Sequence, residues 1–147
     1  MTDAERMNAE RRASLLARAC ADNPGWATLI TDAVAEMVAL DPDLELPFAP
    51  GQKFGILRFP TVVSTDPAVR EALRRIEQAA VERSMVTCQR CGNPGSRYVS
   101  TGLWYTTLCP DCATALEDEG RVFRPATTEY IRQLDAEWKA RRDGGAV

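Results

Sequence analysis

The chain contains no histidine among its 147 residues. That absence removes metal-dependent nuclease centres in which histidine activates water, and serine or cysteine hydrolases built on a histidine base. Glycine-rich phosphate loops are missing too: neither G-x-x-x-x-G-K nor G-x-G-x-x-G occurs. Long apolar runs are also lacking. The longest stretch free of formal charge, Tyr98 to Pro110, is rich in Thr, Ser and Gly and too short to span a bilayer. The opening Met1-Thr2-Asp3-Ala4-Glu5-Arg6 is charged and no apolar run follows, so a secretory leader is not expected. There is no excess of positive charge. A formal net charge of −3 and a pI near 5.1 argue against nonspecific nucleic-acid binding, although a local basic patch remains compatible with them. These features predict a cytoplasmic protein with reduced thiols, a setting in which paired cysteines serve as metal ligands rather than disulfides.

Four cysteines carry the strongest signal. Cys88-Gln89-Arg90-Cys91 and Cys109-Pro110-Asp111-Cys112 form two C-x-x-C pairs at the separation of a tetrathiolate zinc site. Two residues between cysteines let one tight turn aim both sulfurs at a point, and two such turns supply the four soft thiolates that tetrahedral Zn²⁺ takes. Four protein ligands leave no open position for water or substrate, so the pattern predicts a structural zinc ion; iron suits the same four sulfurs. It also departs from the zinc deaminases, which use three ligands and a proline before the second pair; here Gln89 follows Cys88 and Leu108 precedes Cys109. The fifth cysteine, Cys20, lies outside the pattern and reads as a small buried residue or a reactive thiol.

Around these pairs the text reads as a knuckle, a hairpin and a helix. Gly92 lets the backbone turn back after Cys91. Arg97–Ser100 and Leu103–Leu108 read as strands joined at Thr101-Gly102, and Ala113–Gly120 as a short helix. That order resembles a treble-clef finger, with a zinc ribbon as the near alternative. The helix dipole would favour the thiolates of Cys109 and Cys112. Arg90 reads as a counter-charge to the metal centre or as a solvated turn residue.

The rest predicts helices and one strand. Thr2 or Asp3 caps a helix to about Cys20, whose alternating arginines and glutamates read as a solvated face. Asn23-Pro24 opens a second helix, with Asn23 as cap and Trp26, Leu29, Ile30, Ala33, Val34, Met37, Val38 and Leu40 on one face, ending at Asp41-Pro42. Lys53–Phe59 reads as a single strand, with Phe54, Ile56 and Arg58 on one side and Leu57 and Phe59 on the other; Thr61-Val62-Val63 extends it. Thr65-Asp66-Pro67 opens a third helix to about Ser84, with Val69, Leu73, Ile76, Ala80 and Arg83 inward. A last helix over 127–142 carries Tyr130, Ile131, Leu134 and Trp138 and stops at Asp143-Gly144-Gly145. The fold class expected is α+β: helices packed on a small β-sheet with an embedded four-cysteine module of the treble-clef or zinc-ribbon kind. Residues 1–22 form an N-terminal helix. Residues 23–147 form a single domain containing the zinc module at 86–120. Acidic clusters at Asp41, Asp43, Glu45 and at Glu117, Asp118, Glu119 read as solvated surface rather than catalytic pairs, so no enzymatic activity is expected.

Gly25-Trp26, Lys53-Phe54-Gly55-Ile56-Leu57-Arg58-Phe59, Cys88-x-x-Cys91-Gly92-Asn93-Pro94-Gly95 and Thr107-Leu108-Cys109 occur in that order. Together they resemble a group of small bacterial and phage-borne proteins of unknown function. The resemblance covers roughly residues 24 to 112. It implies a binding protein, such as a toxin-neutralising immunity factor, an inhibitor or a phage accessory protein. The residues themselves suggest a non-enzymatic module that binds another protein through Trp104, Tyr105, Arg97, Lys53 and Arg58, since Trp, Tyr and Arg are common interface anchors. Core packing is the other reading of Trp104 and Tyr105, and in an alternating strand one of the two faces out. The alternative function is nucleic-acid binding through Arg90, Arg97, Arg121 and Arg124, with Tyr98 or Trp104 stacking on bases.

Overall fold

The computed structural model describes residues 1–60 and 64–144, and these form an α+β fold. The chain runs through α1 (Asp3–Asp22), a single 3₁₀ turn (Pro24–Trp26), α2 (Ala27–Leu40), β1 (Gly51–Lys53), β2 (Ile56–Arg58) and α3 (Pro67–Ser84). It continues through β3 (Ser96–Ser100), β4 (Tyr105–Leu108), α4 (Pro110–Asp118), β5 (Phe123–Pro125) and α5 (Thr128–Gly144). β1 and β2 make a small antiparallel ribbon, and a second antiparallel sheet has the order β4-β3-β5. The predicted extension of the strand at Thr61-Val62-Val63 and the Gly145 end of the predicted stop signal lie outside the described residues.

Local signals set several boundaries. Thr2 and Glu5 make a reciprocal capping box at the start of α1. Asp66 accepts from the Ala68 N–H with Pro67 at the first position of α3. Gly120 ends α4 at positive φ. The Arg121 N–H there reaches the Leu116 carbonyl, and the Gly120 N–H reaches that of Glu117, so a Schellman closure satisfies two of the last carbonyls.

The main core lies among the first three helices. Trp26, Ile30, Met37 and Leu44 are fully buried, joined by Leu29, Val34, Leu57, Phe59 and Leu73, with Leu15, Leu16, Val69 and Ile76 at its edge. The fraction of Trp26 left exposed is 0%, and its indole N–H donates to the Thr87 carbonyl at 2.9 Å, so its one polar atom is satisfied where it is buried. In the loop after α2, Leu44 and Leu46 point inward while Asp43 and Glu45 point out.

Five expectations change. Asn23 does not cap the second helix but closes α1: its backbone N–H and its side chain both donate to the Ala19 carbonyl, and its side chain accepts from Gln89 at 2.6 Å. The α1 arginines are not simply a solvated face: Arg12 donates to the Leu44 carbonyl and Arg11 to that of Pro47, pinning the following loop. Ser84, not Arg83, turns inward at the end of α3, where its hydroxyl donates to Val81 and accepts from the Leu57 N–H. The predicted strand Lys53–Phe59 is a hairpin. Lys53 pairs with Ile56, and the two residues between, Phe54 (φ 56) and Gly55 (φ 78), both take positive φ. That geometry matches the right-handed twist of a two-residue hairpin, and a phenylalanine at its first position conceals it from a reader looking for Asn-Gly. The predicted two-residue turn at Thr101-Gly102 is a longer reversal, closed by the Ser100 N–H to the Trp104 carbonyl, with Leu103 at φ 60.

Candidate functional site

The four paired cysteines converge. Their sulfurs all lie within 4.8 Å of one another, and those of Cys91 and Cys109 are 3.6 Å apart. A tetrahedral centre with metal–sulfur bonds of about 2.3 Å needs sulfur separations of about 3.8 Å, so this spacing fits a metal that takes four thiolates. Cys88 and Cys109 are buried, Cys112 is partly buried and Cys91 is exposed, so one edge of the cluster faces solvent.

Each pair is held by its backbone. In the first knuckle the Cys88 N–H donates to the Asn93 carbonyl, the Gly92 N–H to that of Cys88, and the Gly95 N–H to that of Val86. The Asn93 N–H points at the Cys91 sulfur. The second pair opens α4: Cys109 is the N-cap, its sulfur accepts from the Cys112 N–H at 3.4 Å, and Pro110 takes the first helical position. The order is therefore knuckle, hairpin β3–β4 and helix, with the last two ligands at the helix start. That is the treble-clef arrangement; a ribbon would place its second pair on another hairpin. Strand β5 was absent from the sequence expectation and completes the sheet by pairing Tyr98 with Pro125 and Ser100 with Phe123.

The thiols do not ionise alike. Burial opposes ionisation of Cys88, but N–H groups of Cys91, Cys109 and Arg90 and the Cys91 side chain outweigh it and bring the thiol down to about 7. At Cys91 the Asn93 N–H favours the thiolate, yet burial and the hydrogen bond with Cys109 hold the thiol above its ordinary value. Cys112 is raised strongly, by burial, by its hydrogen bonds with the other three cysteines and by the charge of Cys88. The thiolate is favoured at Cys88 and opposed at Cys91 and Cys112. A cation placed among them would remove that conflict, so the cluster is chemically suited to hold a metal ion.

The module is joined to the helical core by the other motifs singled out in the sequence. The Gly25 N–H donates to the Gln89 carbonyl at 2.8 Å. A Cβ on Gly25 would lie 2.0 Å from the Cys88 carbonyl oxygen, so only glycine fits between 3₁₀ turn and knuckle. Gln89 spans the seam: its amide donates to Asn23 while its oxygen accepts from the Thr106 hydroxyl at 2.9 Å. Across the sheet, the Thr107 hydroxyl donates to the Gly55 carbonyl. A Cβ on Gly55 would sit 2.8 Å from the Thr106 backbone.

The five surface residues expected to bind a partner do not form one patch. Arg97 lies over the Tyr105 ring, with its guanidinium 4.1 Å from the centroid, and its Nε donates to the Phe54 carbonyl. Phe54 meets Tyr105 edge-on at 6.4 Å, and the Lys53 ammonium lies 5.7 Å from the Phe54 ring centre. Lys53, Tyr105 and Arg97 therefore share one strip, centred on Phe54, which the sequence expectation placed in a strand and left out of the site. Trp104 is exposed and lies on the other face of β4, beside Thr106 and Leu108. Arg58 lies over Phe48, apart from both.

The arginines of the nucleic-acid reading also separate. Tyr98 is buried and offers no stacking face. Arg124 is held by both carboxylate oxygens of Glu117 at 3.0 and 3.1 Å, and those hydrogen bonds with the attendant charge hold Glu117 below the ordinary carboxylate range. Arg97 is stacked on Tyr105. Arg90, Arg121 and Trp104 remain together along a cleft. Among the described residues no helix is long and apolar enough to cross a membrane. No family model, curated protein or solved structure matches this chain.

Proposed function

We propose that this chain is a non-enzymatic, zinc-stabilised module that binds another protein, with the Lys53–Phe54–Tyr105–Arg97 strip as its contact surface. The observation that carries the reading is Phe54. Its side chain is 60% exposed and its backbone is held at φ 56. A bulky residue at positive φ is costly, by about 1–3 kcal/mol, and such strain gathers at functional sites. An exposed aromatic gains little from water, so the fold bears two costs to present this ring. The four-thiolate centre, closed to substrate by its own ligands, supports a structural role for zinc. It braces the sheet that carries Arg97 and Tyr105, and Thr107 ties the Phe54-Gly55 turn to that sheet. Zinc is favoured over iron because it needs no redox partner and accepts this geometry without preference. The resemblance to bacterial and phage-borne proteins points to an inhibitor or toxin-neutralising partner as the biological setting, in the cytoplasm.

The test is affinity purification of the tagged chain from its natural host, beside the Phe54→Ser variant. The expected result is a stoichiometric protein that stays bound in high salt with the wild type and is lost with Phe54→Ser. A partner held equally by both, or none held by either, sinks the proposal.

A further inference from the structure

We infer that the cleft between the α1–α2 junction and the metal module binds a nucleoside phosphate, with the base on Trp104 and the phosphate between Arg90 and Arg121. This site lies on the face of β4 opposite the Phe54 strip and does not depend on the protein-binding reading. The cleft has a volume of ≈ 370 Å³, at the lower end of the range of about 300–1,000 Å³ for small-ligand sites.

Trp104 is 58% exposed, whereas Trp26 is fully buried. The backbone of Trp104 is nonetheless fixed. Its N–H donates to the Ser100 hydroxyl, its carbonyl accepts from the Ser100 N–H, and Leu103 before it is held at φ 60. A positioned indole with a free face is a stacking platform, and stacking suits any base.

The two cations are also positioned. Arg90 sits inside the first knuckle. Arg121 follows the Schellman closure of α4, with its N–H bonded to the Leu116 carbonyl. Neither makes an ion pair among the described residues, while Arg6, Arg74, Arg75, Arg124 and Arg142 do. Arg121 lies over the Phe123 ring, 5.9 Å from its centroid, which leaves its N–H groups without a carboxylate; two such guanidinium groups on one cleft match the planar, multi-oxygen geometry of a phosphate. Asp22 also lines the cleft. Its carboxylate repels a bare anion, but it accepts hydrogens from ribose hydroxyls or a base amino group. The cleft therefore selects a nucleoside phosphate over inorganic phosphate. The floor offers little else, because Gln89 and Thr106 are hydrogen-bonded to each other.

The test uses the full-length, metal-loaded chain and reads indole fluorescence and calorimetry. The probes are adenosine 5′-monophosphate, adenosine, inorganic phosphate and a 5′-phosphorylated hexanucleotide. The monophosphate is expected to bind saturably and to quench indole emission, with adenosine and phosphate each about tenfold weaker or worse. Trp104→Ala and Arg121→Gln should each weaken it by about tenfold with metal content and melting temperature unchanged, since both side chains are exposed. Trp104→Phe should retain most of the affinity. A hexanucleotide that binds more tightly than the monophosphate assigns the ligand to the end of a strand; equal affinities assign it to a free nucleotide. Absence of saturation with either nucleotide probe, phosphate binding as tightly as the monophosphate, or full affinity in Trp104→Ala or Arg121→Gln overturns the inference.

Discussion

The two halves of the molecule are held together by different physics. In the helical half Trp26, Ile30, Met37 and Leu44 vanish from solvent and lie among other apolar side chains. In the module the buried cluster is smaller, and two of its members, Cys88 and Cys109, are themselves proposed metal ligands. Area removed from water stabilises the first half at about 25 cal/mol per Å². The second has less such area, and a metal ion bound by its four cysteines would supply the remainder. The difference teaches where each half fails: the helices when a large side chain is removed, the module when the metal is.

Removing the metal should break this comparison most widely. Cys88→Ser, or a strong chelator on the wild type, is expected to abolish metal binding, a coupling of about 10–16 kcal/mol in small zinc-bound folds. Amide exchange should then lose protection throughout β3, β4 and β5 while α2 and α3 keep theirs. Protection of the sheet that survives complete loss of metal would show that the module stands on its apolar cluster alone.

Trp26→Ala attacks the other half. It leaves a cavity and strands the Thr87 carbonyl, and about 3–5 kcal/mol of stability should go, read by denaturant unfolding of the metal-loaded chain. Because Thr87 directly precedes Cys88, this variant should also weaken metal retention. Unchanged metal affinity would mean that the halves are less coupled than the Trp26–Thr87 hydrogen bond implies.

The seam itself is tested by Gly25→Ala, whose new methyl meets the Cys88 carbonyl, and should cost about 1–3 kcal/mol in the same unfolding assay. Gln89→Ala removes the bridge from Asn23 to Thr106 and leaves two polar groups without partners, at about 1–3 kcal/mol. Here the sharper readout is exchange at Gly25 and Thr107, which should quicken before the two cores loosen. The smallest effect on stability belongs to Phe54→Ser. An exposed ring contributes within about 0.5 kcal/mol, so a melting temperature near wild type is expected together with loss of the partner. A large drop in melting temperature would instead make Phe54 part of the scaffold.

How much of this was legible in the chain depended on the range of the interaction that decided each feature. The four-cysteine cluster was legible because C-x-x-C is a local turn and four sulfurs of such pairs converge on one centre. The helices were legible for the same reason. Asp66-Pro67 caps α3 through a contact two residues away, and the stripe from Leu29 to Met37 repeats within a single helix. Asn23 misled because its nearest partner by sequence lost to Gln89, a residue far along the chain. Strand β5, only three residues long, has no pattern of its own and exists through its pairing with β3.

By itself, then, the sequence determined the α+β class, the helical core, the four-cysteine centre and the absence of a histidine-based active site. Those follow from composition, periodicity and spacing, which act over one or two turns of chain. Only the tertiary structure decided that Lys53–Phe59 folds back at Phe54-Gly55, that Trp104 is the more exposed of the Trp104–Tyr105 pair, and which arginines are already engaged. Glu117 takes Arg124, Tyr105 takes Arg97 and Arg121 lies over the Phe123 ring at 5.9 Å, which leaves Arg90 and Arg121 without a carboxylate partner among the described residues. A side chain's availability depends on what packs against it from distant segments, and that information arises only when the chain has folded.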